Sequence, residues 1–331
     1  MPAQSWTSEG LARVLADRYG LVTQDIDALV ATGGAAEWDV TCSGPNGGAF
    51  RVVQYPDPEH AEAGSRGLTV AAFAGSAGVC VPSVRRDREG NLVSCGPEGY
   101  VAAFSRPKGR PVIAPLRAEQ ARLLGLELAR VHRGLAFYPP ATPQPMGGEA
   151  AWRTWPLNTS GAEPAMSAGG HRATSQRRTL LAQIPTLRRQ LPTLTFQTGH
   201  GAFLRRNLYL TSDRVEVTGF RGRTTFLAWE LARIAFDIRT VLDSVQWRKT
   251  ALSCLAAYHI AYPHLPINEV RASPLIAVLE LLCAPAQPSS PPWPLRVAAT
   301  QRLLRWVDDY DDFNAMLTQH LDQVRRARGP V

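Results

Sequence analysis

The sequence predicts an α+β molecule in two lobes, an N-terminal five-stranded antiparallel sheet with a helix followed by a larger, mainly helical lobe. Three observations predict it. Short β-rich runs with turn signals between them fill the first hundred residues; Arg106-Pro107-Lys108-Gly109-Arg110-Pro111 concentrates proline and glycine where that pattern stops; and apolar residues recur at helical spacing from Arg117 onward. These set the lobes at 1–105 and 106–331.

Ser8 to Tyr19 carries Leu11, Val14 and Leu15 on one helical face behind polar residues able to cap. Asp27 to Thr32, Glu37 to Ser43 and Ala49 to Tyr55 then read as an antiparallel meander, the last two joined by the turn Pro45-Asn46-Gly47-Gly48. Pro56 to Ala77 starts with proline, is rich in alanine and reads as helix. Ser83 to Arg86 and Leu92 to Cys95 flank Asp87-Arg88-Glu89-Gly90 as a second hairpin, and Tyr100 to Phe104 makes the last strand. In the second lobe Arg117 to Ala136 repeats Ala121, Leu124, Leu128 and Val131 as a core helix, and Pro139 to Gly170 reads as a long excursion. Helices follow at Arg177 to Gln190, Phe226 to Trp247, Thr250 to Tyr262, Pro274 to Cys283 and Leu295 to Arg328, with a proline-rich break at Pro285 to Pro294. There is no internal repeat.

The chain has 331 residues, 45% of them hydrophobic and 19% charged, and no apolar run reaches the length of a membrane span. With no secretory pattern at the N-terminus and five scattered cysteines without a CxxC pair, a cytoplasmic protein with reduced thiols is expected, without disulfide framework or zinc site. The net charge is +8, and Lys108 and Lys249 are the only lysines, so arginine carries nearly all of it. That balance suits an anionic ligand, an acidic peptide or nucleic acid, the last without any recognisable nucleic-acid module to support it.

Four local patterns occur in a telling order. Leu124 to His132 is a helix ending in Val131-His132; His200-Gly201-Ala202-Phe203-Leu204-Arg205-Arg206-Asn207 has the outline HGDxxxxN with Ala202 in the acid's place; Val215 to Phe220 is a strand running into Thr218-Gly219-Phe220; and Trp229-Glu230-Leu231-Ala232 opens a helix. Together these resemble the aminoglycoside phosphotransferase and choline kinase-like family, of protein kinase-like fold, with its helix ending in LH, its catalytic loop, its IDF motif and its WDLA helix start. The resemblance implies ATP and Mg2+ as cofactors, a bacterial setting and phosphate transfer to a hydroxyl.

Residue by residue, the resemblance places the proton-accepting Asp at Ala202 and the Mg2+-binding Asp at Gly219, leaving Asn207 as the remaining metal ligand of the three. His200 is implied to brace the loop. Gly33-Gly34 matches the phosphate-covering turn, Arg51 stands where a strand lysine contacts phosphates, and Glu59 or Glu62 is its helix partner. Arg205, Arg206, Arg221 and Arg223 flank both gaps and are candidate anion- or ligand-binding residues. Asp213, Glu216 and Asp237 are the carboxylates near enough in sequence to replace the missing acid, and the period-two alternation of Val215-Glu216-Val217 turns Glu216 away from its apolar neighbours. Asp308-Asp309-Tyr310-Asp311-Asp312 reads as a solvated turn or helix face rather than a metal site.

The leading expectation is therefore a pseudokinase-like protein of impaired catalysis that acts as a ligand- or peptide-binding partner subunit, for instance in a peptide-modifying or biosynthetic complex. The alternative is an active ATP-dependent phosphotransferase acting on a small-molecule or peptide hydroxyl through a non-standard base. Nucleic-acid binding is the third reading, and membrane association is not expected.

Overall fold

The computed structural model describes residues 7–29, 36–45, 47–96, 99–139, 179–284 and 291–328. In chain order its elements are α1 (Ser8–Val14), a π turn (Leu15–Tyr19), β1 (Val22–Ala28), β2 (Ala36–Ser43), β3 (Gly48–Tyr55), α2 (Pro58–Ser76), β4 (Val84–Arg85), β5 (Ser94–Gly96), β6 (Gly99–Ser105), β7 (Arg110–Pro111) and α3 (Ala118–Leu135). They continue as α4 (Ile184–Arg189), β8 (Phe196–Thr198), a 3-10 turn (Arg205–Asn207), β9 (Leu208–Leu210), β10 (Val215–Val217), β11 (Thr224–Phe226), α5 (Leu227–Ala235), α6 (Ile238–Asp243), α7 (Trp247–Ala261), α8 (Ile267–Arg271), α9 (Ser273–Cys283), α10 (Trp293–Asp308) and α11 (Tyr310–Arg328). The chain is thus mixed α+β, an antiparallel sheet first and mainly helix afterwards. The predicted excursion over 139–170 lies, apart from Pro139, outside the described residues.

Contacts divide the chain into two compact units, 1–110 with 207–222 and 111–206 with 223–331, so the segment after Arg206 folds with the sheet rather than following a single cut at 105/106.

In the first unit the sheet runs β1-β2-β3-β6-β4, with β5 also paired to β6. Alternation decides which face is buried: Trp38, Val40 and Cys42 of β2 point into a core with Leu11, Leu15, Tyr19, Val52 and Val101. Helix α1 is capped by Thr7, whose hydroxyl accepts the Gly10 amide at 3.1 Å. Tyr19 is buried, and its hydroxyl donates to the Val101 carbonyl at 2.8 Å, while burial pushes its pKa up to about 12. Two expectations shift here. The first strand spans Val22–Ala28 and so begins before the predicted Asp27, residues 30–32 of that prediction lying outside the described residues, and β4 and β5 are not a hairpin, since both pair with β6, Val84 opposite Phe104 and Ser94 opposite Val101. The carboxylate of Asp87 explains the latter: it accepts from the amides of Glu89 and Asn91 and from the Ser94 hydroxyl at 2.7–3.0 Å, closing the turn on itself rather than pairing its arms.

The returning segment is held in this unit by backbone. The Val217 amide donates to the Cys80 carbonyl at 2.8 Å, and the Phe220 carbonyl lies so close to Gly67 of α2 that a Cβ there would stand 2.1 Å from its oxygen.

The second unit is a helical core. Its predicted first helix buries Ala121, Leu124, Leu128 and Val131 as the spacing requires. Trp306 sits at the centre of an aromatic cluster, its ring centroid 4.8 Å from Phe313, 5.0 Å from Trp247 and 6.1 Å from Phe236. Two long predicted helices are broken. Residues 226–247 form the end of β11 and then α5 and α6, because Asp237 caps a new helix by accepting from the Thr240 amide at 3.1 Å. Residues 295–328 split into α10 and α11 at Asp309, within the acidic run that was expected to form a turn or a helix face.

Gly67→Ala is expected to destabilise the first unit by about 1–3 kcal/mol, because the added methyl meets a backbone carbonyl rather than a movable side chain. A urea titration followed by circular dichroism measures this; an unchanged midpoint would show that α2 and the 218–222 loop are not in contact.

Candidate functional site

The loop after β8 is built around one buried carboxylate. Strands β8 and β11 pair with Thr198 opposite Thr224, and α5 starts directly after β11, which sets Glu230 in its first turn beneath the loop. Glu230 accepts the His200 amide at 3.0 Å, the Gly201 amide at 2.6 Å and His132 Nε2 at 3.0 Å. Burial by itself would raise its carboxyl pKa; the hydrogen bond and field of His132, the field of His200 and the Gly201 N–H outweigh it and hold the group below the usual range. The other ring nitrogen of His132, Nδ1, is hydrogen-bonded to the Tyr258 hydroxyl 2.6 Å away. Gly201 makes the turn at φ 81°, a left-handed conformation that favours glycine.

His200 is completely buried. Its Nδ1 accepts the Ala202 amide at 3.0 Å and its ring meets Phe203 edge-on at 5.6 Å, so it braces the loop two residues ahead. Ala202 is itself 1% exposed and presents only a methyl group. No proton acceptor stands at that position.

In the first unit Asn207 and the 218–219 turn are tied together. Thr218 donates to the Asn207 carbonyl through its amide at 2.8 Å and its hydroxyl at 3.2 Å. Gly219 has φ 69°, and a Cβ there would stand 2.7–2.8 Å from the atoms of the Asn207 amide, so the amide fills the place from which an acid would extend. Each of the three candidate replacement acids has a partner of its own. Glu216 is buried, as are Val215 and Val217, and its carboxylate accepts the Lys108 amide at 2.7 Å. Asp213 is an exposed neighbour of Arg214, and Asp237, in the helical unit, holds Arg205 at 2.7 Å while capping α6.

Arg51 is already engaged. Its Nε donates to Asp39 at 2.7 Å, and its Nη1 to Glu37 at 3.4 Å and to the Tyr209 hydroxyl at 3.2 Å. The expected partner Glu62 is instead paired with Arg66 one turn along α2. The register explains the difference: Asp39 lies directly opposite Arg51 in the β2–β3 ladder. Gly33 and Gly34 lie outside the described residues.

Mg2+ requires several oxygen ligands in near-octahedral array. Ala202 and Gly219 offer no side-chain oxygen, Asn207 offers one amide, and among the described residues no group of three or more His, Cys, Asp or Glu could hold a metal ion. The donor set does not fit the metal that the sequence resemblance implies.

The helical unit also contains a cavity of about 480 Å3. Among its lining residues are Arg205, Arg206, Arg233, Arg296, Asp237 and Glu280. Arg205 meets Asp237 through Nε at 2.7 Å and Arg233 meets Glu280 through Nε at 3.3 Å, while Trp229 Nε1 donates to the other oxygen of Glu280 at 2.7 Å. Arg296 is buried and donates to the carbonyls of Leu281 and Ala284 at 2.7 and 2.6 Å. Two of the arginines expected from sequence, Arg205 and Arg206, line this cavity and Arg221 and Arg223 do not; Arg233 and Arg296 replace them. Those two carry no sequence signal, since they come from helices remote along the chain and each resembles any other surface arginine of an amphipathic helix.

Glu230→Gln should cost about 3–5 kcal/mol, the usual loss when one member of a buried charged network is removed. The acid limb gives a second reading. Glu230 titrates below its unfolded value, so its contribution is complete above about pH 4.5 and is lost as pH falls through the folded pKa. Urea midpoints taken from pH 7 to pH 3 should therefore fall less steeply for the variant than for the parent; parallel curves would remove Glu230 from this role.

No family model matches the chain, and no curated protein does either. Solved structures do. An aminoglycoside phosphotransferase from Alicyclobacillus acidocaldarius superposes with a TM-score of 0.64 at 15% identity, over 98% of this chain and 98% of that one. A microcompartment-associated aminopropanol kinase gives 0.61 at 17% identity, covering 91% and 98%. Amicoumacin kinase, in a complex with AMP-PNP and Ca2+, gives 0.59 at 11% identity, covering 92% and 94%. At these identities the likeness establishes architecture, and the chain has the protein kinase-like fold of aminoglycoside phosphotransferases and related kinases.

Proposed function

We propose that this chain is a pseudokinase-like protein, a kinase fold whose site binds a ligand or partner and does not transfer phosphate from MgATP. The observation that carries the reading is the paired loss at Ala202 and Gly219, together with the Asn207 amide in the space where a carboxylate would be rooted. A positioned base contributes about 10²–10⁴ in rate, and a metal several kcal/mol of charge stabilisation. With neither in place, ordinary transfer falls close to the uncatalysed level. The similar structures include a kinase bound to AMP-PNP and Ca2+; here the strand arginine that would meet phosphates is neutralised by Asp39 and Glu37, which supports weak or absent nucleotide binding. The arginine-rich character of the chain supports an anionic ligand or an acidic peptide as what the site takes, and a partner enzyme that supplies the chemistry.

Thermal shift with ATP, with and without Mg2+, tests the first part: native-state binding must raise Tm, and no Mg2+-dependent rise is expected. A radiolabel transfer assay against small hydroxyl compounds and Ser/Thr peptides tests the second. MgATP-dependent transfer by the purified chain would overturn the proposal and establish the active phosphotransferase instead. Gly219→Asp should not restore a metal site; it is expected to lower stability by roughly 1–3 kcal/mol, since it adds a side chain at positive φ against the Asn207 amide. A stable variant with Mg2+-dependent ATP binding would show that the amide yields.

A further inference from the structure

We propose that the cavity of the helical unit binds a small organic oxyanion, a phosphate or carboxylate carried on a compact apolar body. This deepens the reading above, on which it rests, by naming the class of ligand. The cavity, at about 480 Å3, has the size of a small-molecule site. Among the described residues four arginines and two carboxylates line it, an excess of positive charge. That balance disfavours cationic ligands such as polyamines and is matched by one dianion or two monoanionic groups.

The geometry points the same way. Arg205 and Arg233 each meet their carboxylate through Nε, and among the described residues no acceptor is assigned to their Nη groups. A guanidinium presents its donors as a planar fork matched to carboxylate and phosphate, so both side chains are oriented by one acid and still able to grip a second. Arg296 is fixed in the wall by the Leu281 and Ala284 carbonyls, which places a buried positive charge without reorganisation on binding. Between these charges the wall is apolar, with Leu204, Phe236, Ile238 and Leu281, which suits a hydrocarbon or aromatic body and not a bare inorganic ion. The same loop that lost its acid at Ala202 contributes Arg205 and Arg206 three and four residues later.

Isothermal titration of the full chain with phenyl phosphate, benzoate, inorganic phosphate and benzyl alcohol tests the proposal. At least one aromatic anion should bind saturably, at least tenfold tighter than inorganic phosphate and with no detectable binding of the alcohol; phenyl phosphate ahead of benzoate would identify phosphate as the group, the reverse carboxylate. Arg206→Gln with Arg233→Gln should weaken binding tenfold or more, and Arg221→Gln with Arg223→Gln should leave it within twofold. Hydrogen exchange on the unmutated chain gives an answer free of folding defects: the anion should protect 204–206 and 277–284. No saturable binding below about 10 mM, equal binding of the alcohol, or protection elsewhere would overturn the proposal. MgATP transfer is read separately: transfer with an occupied cavity would refute the non-catalytic reading alone, whereas no transfer and no anion binding would refute this inference alone.

Discussion

The buried carboxylate of Glu230 is the constraint on which the helical unit's site depends. A carboxylate removed from water must be surrounded by donors, and this one gathers two loop amides and an imidazole. The demand works in both directions. The amides of His200 and Gly201 need an acceptor inside the protein, and Glu230 needs them, so the loop has little freedom except the backbone shape that serves both. His132 extends the network to α3 and Tyr258 to α7, which ties the loop to two helices packed against each other. A loop held in this way keeps its form whether or not it carries a reactive group, and this explains how Ala202 can stand in a well-formed turn.

Charge organises the remainder of the site. In the first unit Arg51 is neutralised where it stands, by acids placed opposite and diagonal to it on the neighbouring strand. Among the described residues that line the cavity of the helical unit the acids are outnumbered, and Asp237 and Glu280 orient arginines without cancelling their sum. The same residue type therefore does two jobs. Arg51 is a structural cross-strand partner, whereas Arg205 and Arg233 are side chains aimed at a cavity, and what separates them is the local count of carboxylates rather than the arginine itself.

Much of the fold was legible because periodicity reports burial directly. The alternation of Trp38, Val40 and Cys42 and the spacing of Ala121, Leu124, Leu128 and Val131 each name a buried face that the structure retains. Helix ends were less legible: Asp237 looks like any polar residue within a helical run until its carboxylate is seen capping the next helix. The partner of Glu216 is not legible for a related reason, since alternation turns its side chain away from Val215 and Val217 but does not tell that a loop amide from Lys108 meets it.

The sequence by itself determined the order of elements, the absence of acids at Ala202 and Gly219 and the excess of arginine, because these are matters of identity and local spacing. Only tertiary structure decided what surrounds them: that Asn207 fills the space beside Gly219, that Asp39 and Glu37 engage Arg51, and that Arg233 and Arg296 converge with Arg205 on one cavity. Such convergence is set by long-range packing, which brings together residues tens of positions apart and leaves no periodic mark along the chain.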